Sequence, residues 1–359
     1  MIWKLNPNLT EQDLYKDLKA CVVGCGWMGE YYVDWFSRNH HAGSISIVDP
    51  GTERLKFISG KYGVKNCYTN IEEMLETQVP DVAIIVTPTA YFKEMVITCV
   101  QAGVKGVLVE KPIGGLLSDV DEMIDTCDAK GIVFGGGRVQ RAIPKVQKVA
   151  NDIGAGTYGN LVGASVHNWG DGSQISGGGN QHISVLRLLT GAEITEVVAW
   201  AKPRDVLESE TDMGLTVNGL FSLSNGIQCP VFGMATPSGG LDGGVQVWSD
   251  RALINADSFS SPEIFDGFNE DGSRIRVNTS EDPSEDQSAA LDGAITSFLE
   301  AVFNGSDLWV SARDLRSALE VAIAAKRSAL LGSTPIKLPL EDRSLALYPS
   351  RERWLGKGV

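Results

Sequence analysis

Gly24-Cys25-Gly26-Trp27-Met28-Gly29 carries the pattern G-x-G-x-x-G between an apolar run, Ala20-Cys21-Val22-Val23, and a helix-like stretch over 31–36. Twenty residues after Gly29, at the end of a second apolar run, stands Asp49. The pattern alone is weak, but a strand before it, a helix after it and a carboxylate closing the next strand make it specific. Glycines let the backbone turn tightly and approach a pyrophosphate, whose charge sits at a helix N-terminus. Asp49 would accept hydrogen bonds from an adenosine ribose and repel a 2′-phosphate, which indicates NAD rather than NADP. A glycine-rich turn without a ligand would not explain the order of all three features.

Two further groups could move a proton. Glu110-Lys111-Pro112 follows the apolar run Val107-Leu108-Val109, and strand carboxyl ends are where α/β sheets hold ligands. A lysine there would lie near the nicotinamide and donate a proton or hydrogen bond to a substrate oxygen, its pKa lowered by burial and by neighbouring cations. The plainer alternative is a lysine in a surface turn. His182 opens a predicted helix over 182–190 after Gly177-Gly178-Gly179. A neutral imidazole there could shuttle a hydroxyl proton, or it could simply hydrogen-bond to a loop. His167, Asn168, Trp169 and Asp171 leave the preceding strand towards the same region. An aromatic face with polar tips suits a carbohydrate, although strand-end loop residues have the same composition. His40 and His41 read as solvated loop residues.

The elements that must position these groups follow from periodicity. Short apolar runs at 20–23, 44–49, 81–86, 107–109 and 132–134 alternate with helical spacing over 52–62, 70–75, 91–101 and 118–129. That alternation predicts a parallel sheet. Asn70 reads as an N-cap, and so does Ser118, with Asp121 completing a near capping box. From about Pro144 the pattern changes. A helix over 144–152 is followed by strands over 161–169, 193–201, 215–223, 226–233, 244–248 and 252–256, with Asn225-Gly226 as a hairpin signal. Helices over 291–303 and 314–331 come last. The fold class is therefore α/β, an N-terminal doubly wound Rossmann sheet plus a C-terminal α+β domain with a large, open, mostly antiparallel sheet. The expected divisions are an N-terminal extension over 1–19, a dinucleotide-binding domain over 20–141 and a substrate and oligomerisation domain over 142–359.

Composition narrows the function classes. The chain has 359 residues, 43% hydrophobic and 21% charged, which fits about two domains of a globular protein. No apolar run approaches the ~20 residues that span a bilayer, and the first 19 residues carry Glu11, Asp13 and Asp17 without an apolar stretch, so a secretory signal is not expected. They read as an amphipathic segment with Thr10 as N-cap. A net charge of −14 argues against nucleic acid as a partner. Part of the acidic excess lies over 263–286, which reads as a solvated loop region or short surface elements. Six cysteines without a C-x-x-C pair read as reduced core thiols of a cytoplasmic protein. Four histidines in no ligand spacing give no metal site.

In order and spacing, Val22-Val23-Gly24-x-Gly26-x-Met28-Gly29, Asp49, Val86-Thr87-Pro88 and Val109-Glu110-Lys111-Pro112-Ile113 resemble the Gfo/Idh/MocA family, which includes glucose–fructose oxidoreductase and inositol dehydrogenase. Arg141-Ala142-Ile143-Pro144 is similar to the R-F-x-P segment that opens the family's second domain. The resemblance implies hydride transfer between a nicotinamide and a hydroxyl or ketone of a sugar, sugar derivative or cyclitol, and a homodimer or homotetramer built through the open sheet. It implies Lys111 as the active-site lysine with a cis peptide before Pro112. Gly24, Gly26, Trp27, Met28 and Gly29 would line the pyrophosphate, with Asp49 on the ribose, Arg54 near the adenine, and Thr87, Pro88 and Glu110 along the nicotinamide half. Arg141, Trp169, Asp171, Gln181 and His182 are the expected substrate contacts, and Lys111 and His182 the catalytic pair.

The chain departs from the family's G-G-x-x-x-D-x-G-x-H segment. Gly178 stands where an Asp is usual, and an ungapped alignment on 187–191 puts Gln181 in the slot of the catalytic His. Ser184 or Val185 replaces an acid one turn later, and Phe92 replaces a His after Thr-Pro. Two other functions therefore stay open: a non-catalytic NAD-sensing regulator of the same fold, and a reductase of a non-sugar substrate.

Overall fold

Alternating apolar strands and helices build the first sheet in chain order: β1 (Lys19–Val23), α1 (Trp27–Ser37), β2 (Ser44–Val48), α2 (Thr52–Tyr62), β3 (Asn66–Tyr68), α3 (Ile71–Thr77), β4 (Val82–Ile85), α4 (Phe92–Ala102), β5 (Gly106–Val109), α5 (Leu117–Lys130) and β6 (Val133–Gly136). The computed structural model describes residues 15, 17–38, 42–169, 174–233, 244–257, 261–277 and 283–349. Thr10, Glu11, Asp13, His40, His41 and Asp171, singled out above, lie outside them. The six strands run parallel in the order β3-β2-β1-β4-β5-β6. Central β4 is Val-Ala-Ile-Ile, with every side chain fully buried, as helices on both faces of a parallel sheet require.

Of the two predicted caps among the described residues one holds and one does not, and the difference has a physical cause. Asn70 caps α3, its side chain accepting the Glu73 N–H at 2.8 Å. Ser118 does not cap α5. That helix begins at Leu117, which is fully buried in the core, so apolar docking of its first residue sets the start. The short strand β3 escaped the periodicity reading because three residues cannot display a period.

The second half contains α6 (Pro144–Gly154), β7 (Leu161–His167), α7 (Gly178–Thr190), β8 (Ile194–Lys202), α8 (Arg204–Leu207), β9 (Thr216–Leu223), β10 (Gln228–Val231), β11 (Gly244–Ser249), β12 (Ala252–Asp257), β13 (Glu263–Phe268), β14 (Arg274–Arg276), α9 (Pro283–Asn304), α10 (Ala312–Leu330) and β15 (Ile336–Lys337). Its nine strands are ordered β14-β13-β12-β11-β7-β10-β9-β8-β15 and are antiparallel except for β7 beside β10. Asn225-Gly226 joins β9 to β10 as predicted, with the Leu223 N–H donating to Ile227 O at 2.9 Å. Part of 263–286 is not loop: β13 and β14 extend the sheet edge.

Helices α7 and α10 cover one face of this sheet, over Val197, Ala199, Val217, Phe221, Val245 and Val247. On the other face Trp200, Leu220 and Phe232 are exposed. Helix α9 begins eight residues before the predicted 291 and turns back to the first sheet. Leu291, Ile295, Phe298 and Leu299 join Tyr32, Phe36 and Ile58 in one core cluster. Phe298 lies so close to Gly106 and Gly135 that a Cβ at either would sit 2.8 Å from its ring. The two halves thus share packing as well as a chain connection.

Buried polar contacts pin the turn that leads into α7. Asp212 accepts the Ser176 N–H at 2.6 Å and donates its own N–H to Tyr348 O at 3.0 Å. Lys326 of α10, also buried, donates to the carbonyls of Ser209 and, at 3.1 Å, Thr211. Burial pushes the Asp212 carboxyl up from 3.8 to about 6, against the opposing pull of Ser176 and Lys326. The folded protein therefore holds this proton over a range where the unfolded chain has lost it, so stability falls as pH rises from about 4 to about 6. Asp212→Asn should remove that decline. Measured by urea unfolding from pH 4 to 7, the variant should gain about 3 kcal/mol on the parent through this window, then hold a constant difference.

Candidate active site

Close approach of backbone to backbone shapes the glycine loop. Gly24 has φ 95°, where side chains are strained, and a Cβ there would stand 2.8 Å from Val86 O. A Cβ on Gly29 would fall 1.9 Å from Gly24 O, so only glycine lets α1 pack this tightly on β1. Nothing lies within 4 Å of where Gly26 would carry a Cβ, and Gly26 caps α1 without any side-chain hydrogen bond. No side chain of the N-cap residue therefore takes the first-turn N–H groups of α1, and a helix N-terminus of this kind suits a pyrophosphate. Met28 packs beneath the loop, while Trp27 is 60% exposed, its ring edge-on to Tyr31 at 5.1 Å.

Asp49 extends this cradle from the end of β2. Its Oδ2 accepts the Cys25 N–H and its Oδ1 the Gly51 N–H, both at 2.8 Å. The carboxylate is oriented by the loop it serves, with lone pairs left for a ribose. The residues present fit NAD. Arg54, expected near the adenine, stands beside the same loop: its guanidinium donates to the carbonyls of Cys25 and Gly26 and to Glu30 Oε2, the last at 2.5 Å.

The neighbouring strand ends carry the residues expected along the nicotinamide half. Thr87 and Pro88 follow β4, and the Thr89 hydroxyl donates to Pro112 O at 3.4 Å, joining the ends of β4 and β5. The Lys111–Pro112 peptide is cis. Glu110 is buried and takes three donors: Tyr32 OH at 2.6 Å, the Arg138 N–H at 2.9 Å and the Lys111 N–H at 3.2 Å. It therefore acts as a brace between α1, the lysine peptide and the segment after β6. Burial, and then the Glu110 charge, push the Tyr32 hydroxyl well above its ordinary range, so it stays a donor. Lys111 itself is half-buried. Phe92, where the family often has His, is fully buried at the start of α4.

From the second half, α7 brings the remaining residues. It starts at Gly178, four residues earlier than predicted, because glycines tolerate a first turn packed against Trp169. His182 thus sits in the second turn, fully buried, on the stripe of Leu186 and Leu189. Asn180 and Gln181 are buried too. Neither side-chain amide atom of Asn180, nor Gln181 Oε1, has a hydrogen-bond partner among the described residues.

Two expected substrate residues are engaged elsewhere. Trp169 is buried with its Nε1–H donating to Gly179 O at 3.1 Å and its ring edge-on to Phe221, so it props the start of α7. Arg141 donates to Trp309 O at 2.8 Å, to Ser184 O at 3.2 Å and to Asp314 at 3.0 Å. Asp314 also receives the Ser184 hydroxyl and Arg187, whose head group grips Glu193 at 2.7 Å. A carboxylate from α10 thus meets the helix position where the family often carries an acid of its own. His167 stacks on Phe232 at 5.4 Å. The segment 137–142 borders both catalytic candidates, reaching Glu110 through Arg138 N and α7 through Arg141.

Tyr32, Glu30 and Asn180 were missed from sequence, since a tyrosine on a helix stripe or an amide after glycines carries no motif. Gly137 shows how tight the brace is: a Cβ there would lie 2.4 Å from both Glu110 Oε1 and Tyr32 OH. In guanidinium unfolding, Gly137→Ala is expected to lose about 1–3 kcal/mol by overpacking. Tyr32→Phe should lose about 1.5–3 kcal/mol with a hydrogen bond to a buried charge.

Residues 18–137 match the family described as "Oxidoreductase family, NAD-binding Rossmann fold". The chain is 30% identical over 139 residues to 4-carboxy-2-hydroxymuconate-6-semialdehyde dehydrogenase of a Sphingobium species, covering 39% of this chain and 44% of that one. It spans less than half the length of the first curated relatives it matches. It is 24% identical over 322 residues to the rhizopine catabolism protein MocA of Rhizobium meliloti, covering 85% of this chain and 92% of that one. The fold matches the WlbA dehydrogenase of Bordetella pertussis, crystallised with NADH and UDP-GlcNAcA, at a TM-score of 0.71 and 18% identity over 90% of this chain and 98% of that one. Residues 18–137, whose glycine loop opens a Rossmann sheet and whose Glu110-Lys111 runs into a cis proline, thus match the NAD-binding unit of the Gfo/Idh/MocA family.

Proposed function

We propose that this protein is an NAD-dependent oxidoreductase acting on a hydroxyl or ketone of a sugar, sugar derivative or cyclitol. One observation carries the substrate class. Asn180 and Gln181 bury amide atoms without partners among the described residues, in the same two turns as His182 and beside the segment that braces Lys111. Buried amides are hydrogen-bonded in native proteins, and a polyol offers hydroxyls that both donate and accept. Dehydrogenases acting on such molecules occur among the relatives, including a myo-inositol 2-dehydrogenase of Thermotoga maritima at 28% identity over 142 residues.

NAD, when bound, supplies the acceptor or donor of hydride. The protein's own groups do the rest. Lys111, held by its peptide to Glu110, presents its ammonium to the reacting oxygen and favours the charge that builds there. His182 takes up the hydroxyl proton during oxidation and returns it during reduction. The buried setting of α7 excludes water from His182.

The test is a spectrophotometric panel of polyols with NAD+ and of keto-sugars with NADH. On whichever substrate turns over, Lys111→Ala and His182→Asn should each lower kcat by about 10²–10⁴-fold with NADH affinity little changed. Tight NADH binding with no turnover across the panel would favour the regulator instead, which Gln181 in the usual histidine slot already motivates.

The uncovered face of the nine-stranded sheet supports a homo-oligomer. Trp200, Leu220 and Phe232 lie exposed on adjacent strands, 54%, 40% and 46% accessible. Apolar patches of this kind mark interfaces. Light scattering should give a dimer or tetramer, and Trp200→Asp should shift the mass towards the monomer.

A further inference from the structure

The adenosine end of the cofactor site holds two cations whose charge is already taken. Arg54 and Asp49 flank Gly51, whose Cβ would stand 3.0 Å from Asp49 Oδ1 and 3.7 Å from the Arg54 Cβ. Both grip Cys25, Asp49 through its N–H and Arg54 through its carbonyl. Arg54 therefore stands beside the position where a ribose meets Asp49. Its head group turns to Glu30 Oε2 at 2.5 Å, with side chains 32% and 22% exposed. Lys61, at the far end of α2, reaches the other oxygen, Glu30 Oε1, at 2.7 Å, and Tyr62 OH donates to the same atom at 3.2 Å. Phe57 lies under both cations, 5.0 Å from Arg54 and 5.9 Å from Lys61. The nearby Lys56 pairs with Glu53 on the solvent side at 2.8 Å. Lys61 first, with help from Arg54 and Tyr62, holds the Glu30 carboxyl below its ordinary value, so it is ionised at neutral pH.

We propose that Glu30 is a cofactor-selectivity residue: by binding Arg54 and Lys61 it withholds from a ribose 2′-phosphate the cations that would receive it. Two carboxylates then act together. Asp49 repels the phosphate directly, and Glu30 removes its counter-charge. Arg54, Lys61, Glu30 and Asp49 sum to zero, whereas a site for NADPH needs a net positive charge at this rim. Guanidinium is the group best matched to a phosphate, so its attachment to Glu30 and to the loop carbonyls is the part of the arrangement that matters most. The inference rests on the dinucleotide site at Gly24–Gly29 and is independent of the substrate.

Quenching of protein tryptophan fluorescence on titration with NADH and NADPH gives both dissociation constants, with Trp27 exposed beside the loop. In Glu30→Gln, NADPH affinity should rise about tenfold while NADH changes less than about threefold. Adding 0.5 M KCl should shrink the gain, and Glu30→Gln/Arg54→Gln should abolish it. A folded Glu30→Gln protein with an unchanged NADPH-to-NADH ratio overturns the assignment, as does a gain that survives in the double variant. Should Glu30→Gln not fold, Arg54→Gln alone decides. An unchanged ratio supports a withheld arginine, and a selective loss of NADPH overturns it. Binding of neither dinucleotide by the folded parent overturns the inference together with the site it rests on.

Discussion

A buried carboxylate that accepts three hydrogen bonds organises the catalytic half of this protein. Glu110 joins Tyr32 of the glycine-loop helix, the peptide of Lys111 and the backbone of Arg138. An unpaired buried charge is strongly unfavourable, so each donor is needed and each is thereby placed. The glycine-loop helix and the Lys111 peptide become parts of one rigid unit. The remaining site follows from it, because residues 137–142 run from this carboxylate to Arg141 and so to α7.

The same logic recurs at both ends of the cofactor site. At the adenosine end Asp49 and Glu30 are held by backbone N–H groups and cations, respectively, before any ligand arrives. Preset charges of this kind need no reorganisation when a charged ligand binds. On α7 the preset groups are neutral amides, Asn180 and Gln181, on a helix anchored by Asp314 and Trp169. In the functions proposed above, charge chooses the cofactor and hydrogen-bonding capacity the substrate class.

Packing between the two halves depends on small residues at strand ends. Gly106 and Gly135 leave room for Phe298, and Gly136 for Leu315 and Val310. These glycines occupy parallel-strand positions where larger apolar residues would otherwise be favoured. They let α9 and α10 lie against the first sheet, and α10 packs on α7 as well.

Local pattern was enough for five of the six strands of the first sheet, for Gly24, Gly26, Gly29 and Asp49 as one cradle, and for Lys111 at a strand end. Period-2 and period-3.6 spacing and glycine chemistry act over a few residues, and those residues carry them. Other features depend on partners far away in the chain. Trp169 read as a substrate group because its type suits a sugar, and Arg141 because of the family resemblance, yet Gly179, Asp314 and Trp309 hold their polar groups. The early start of α7, the return of α9 to the first core and the Tyr32–Glu110 brace join positions with no signal at either end alone. Sequence determined which backbone turns and strands form, because those follow from local sterics and burial. Only the tertiary structure decided which polar groups are already satisfied, because a hydrogen bond depends on what else reaches the same atom.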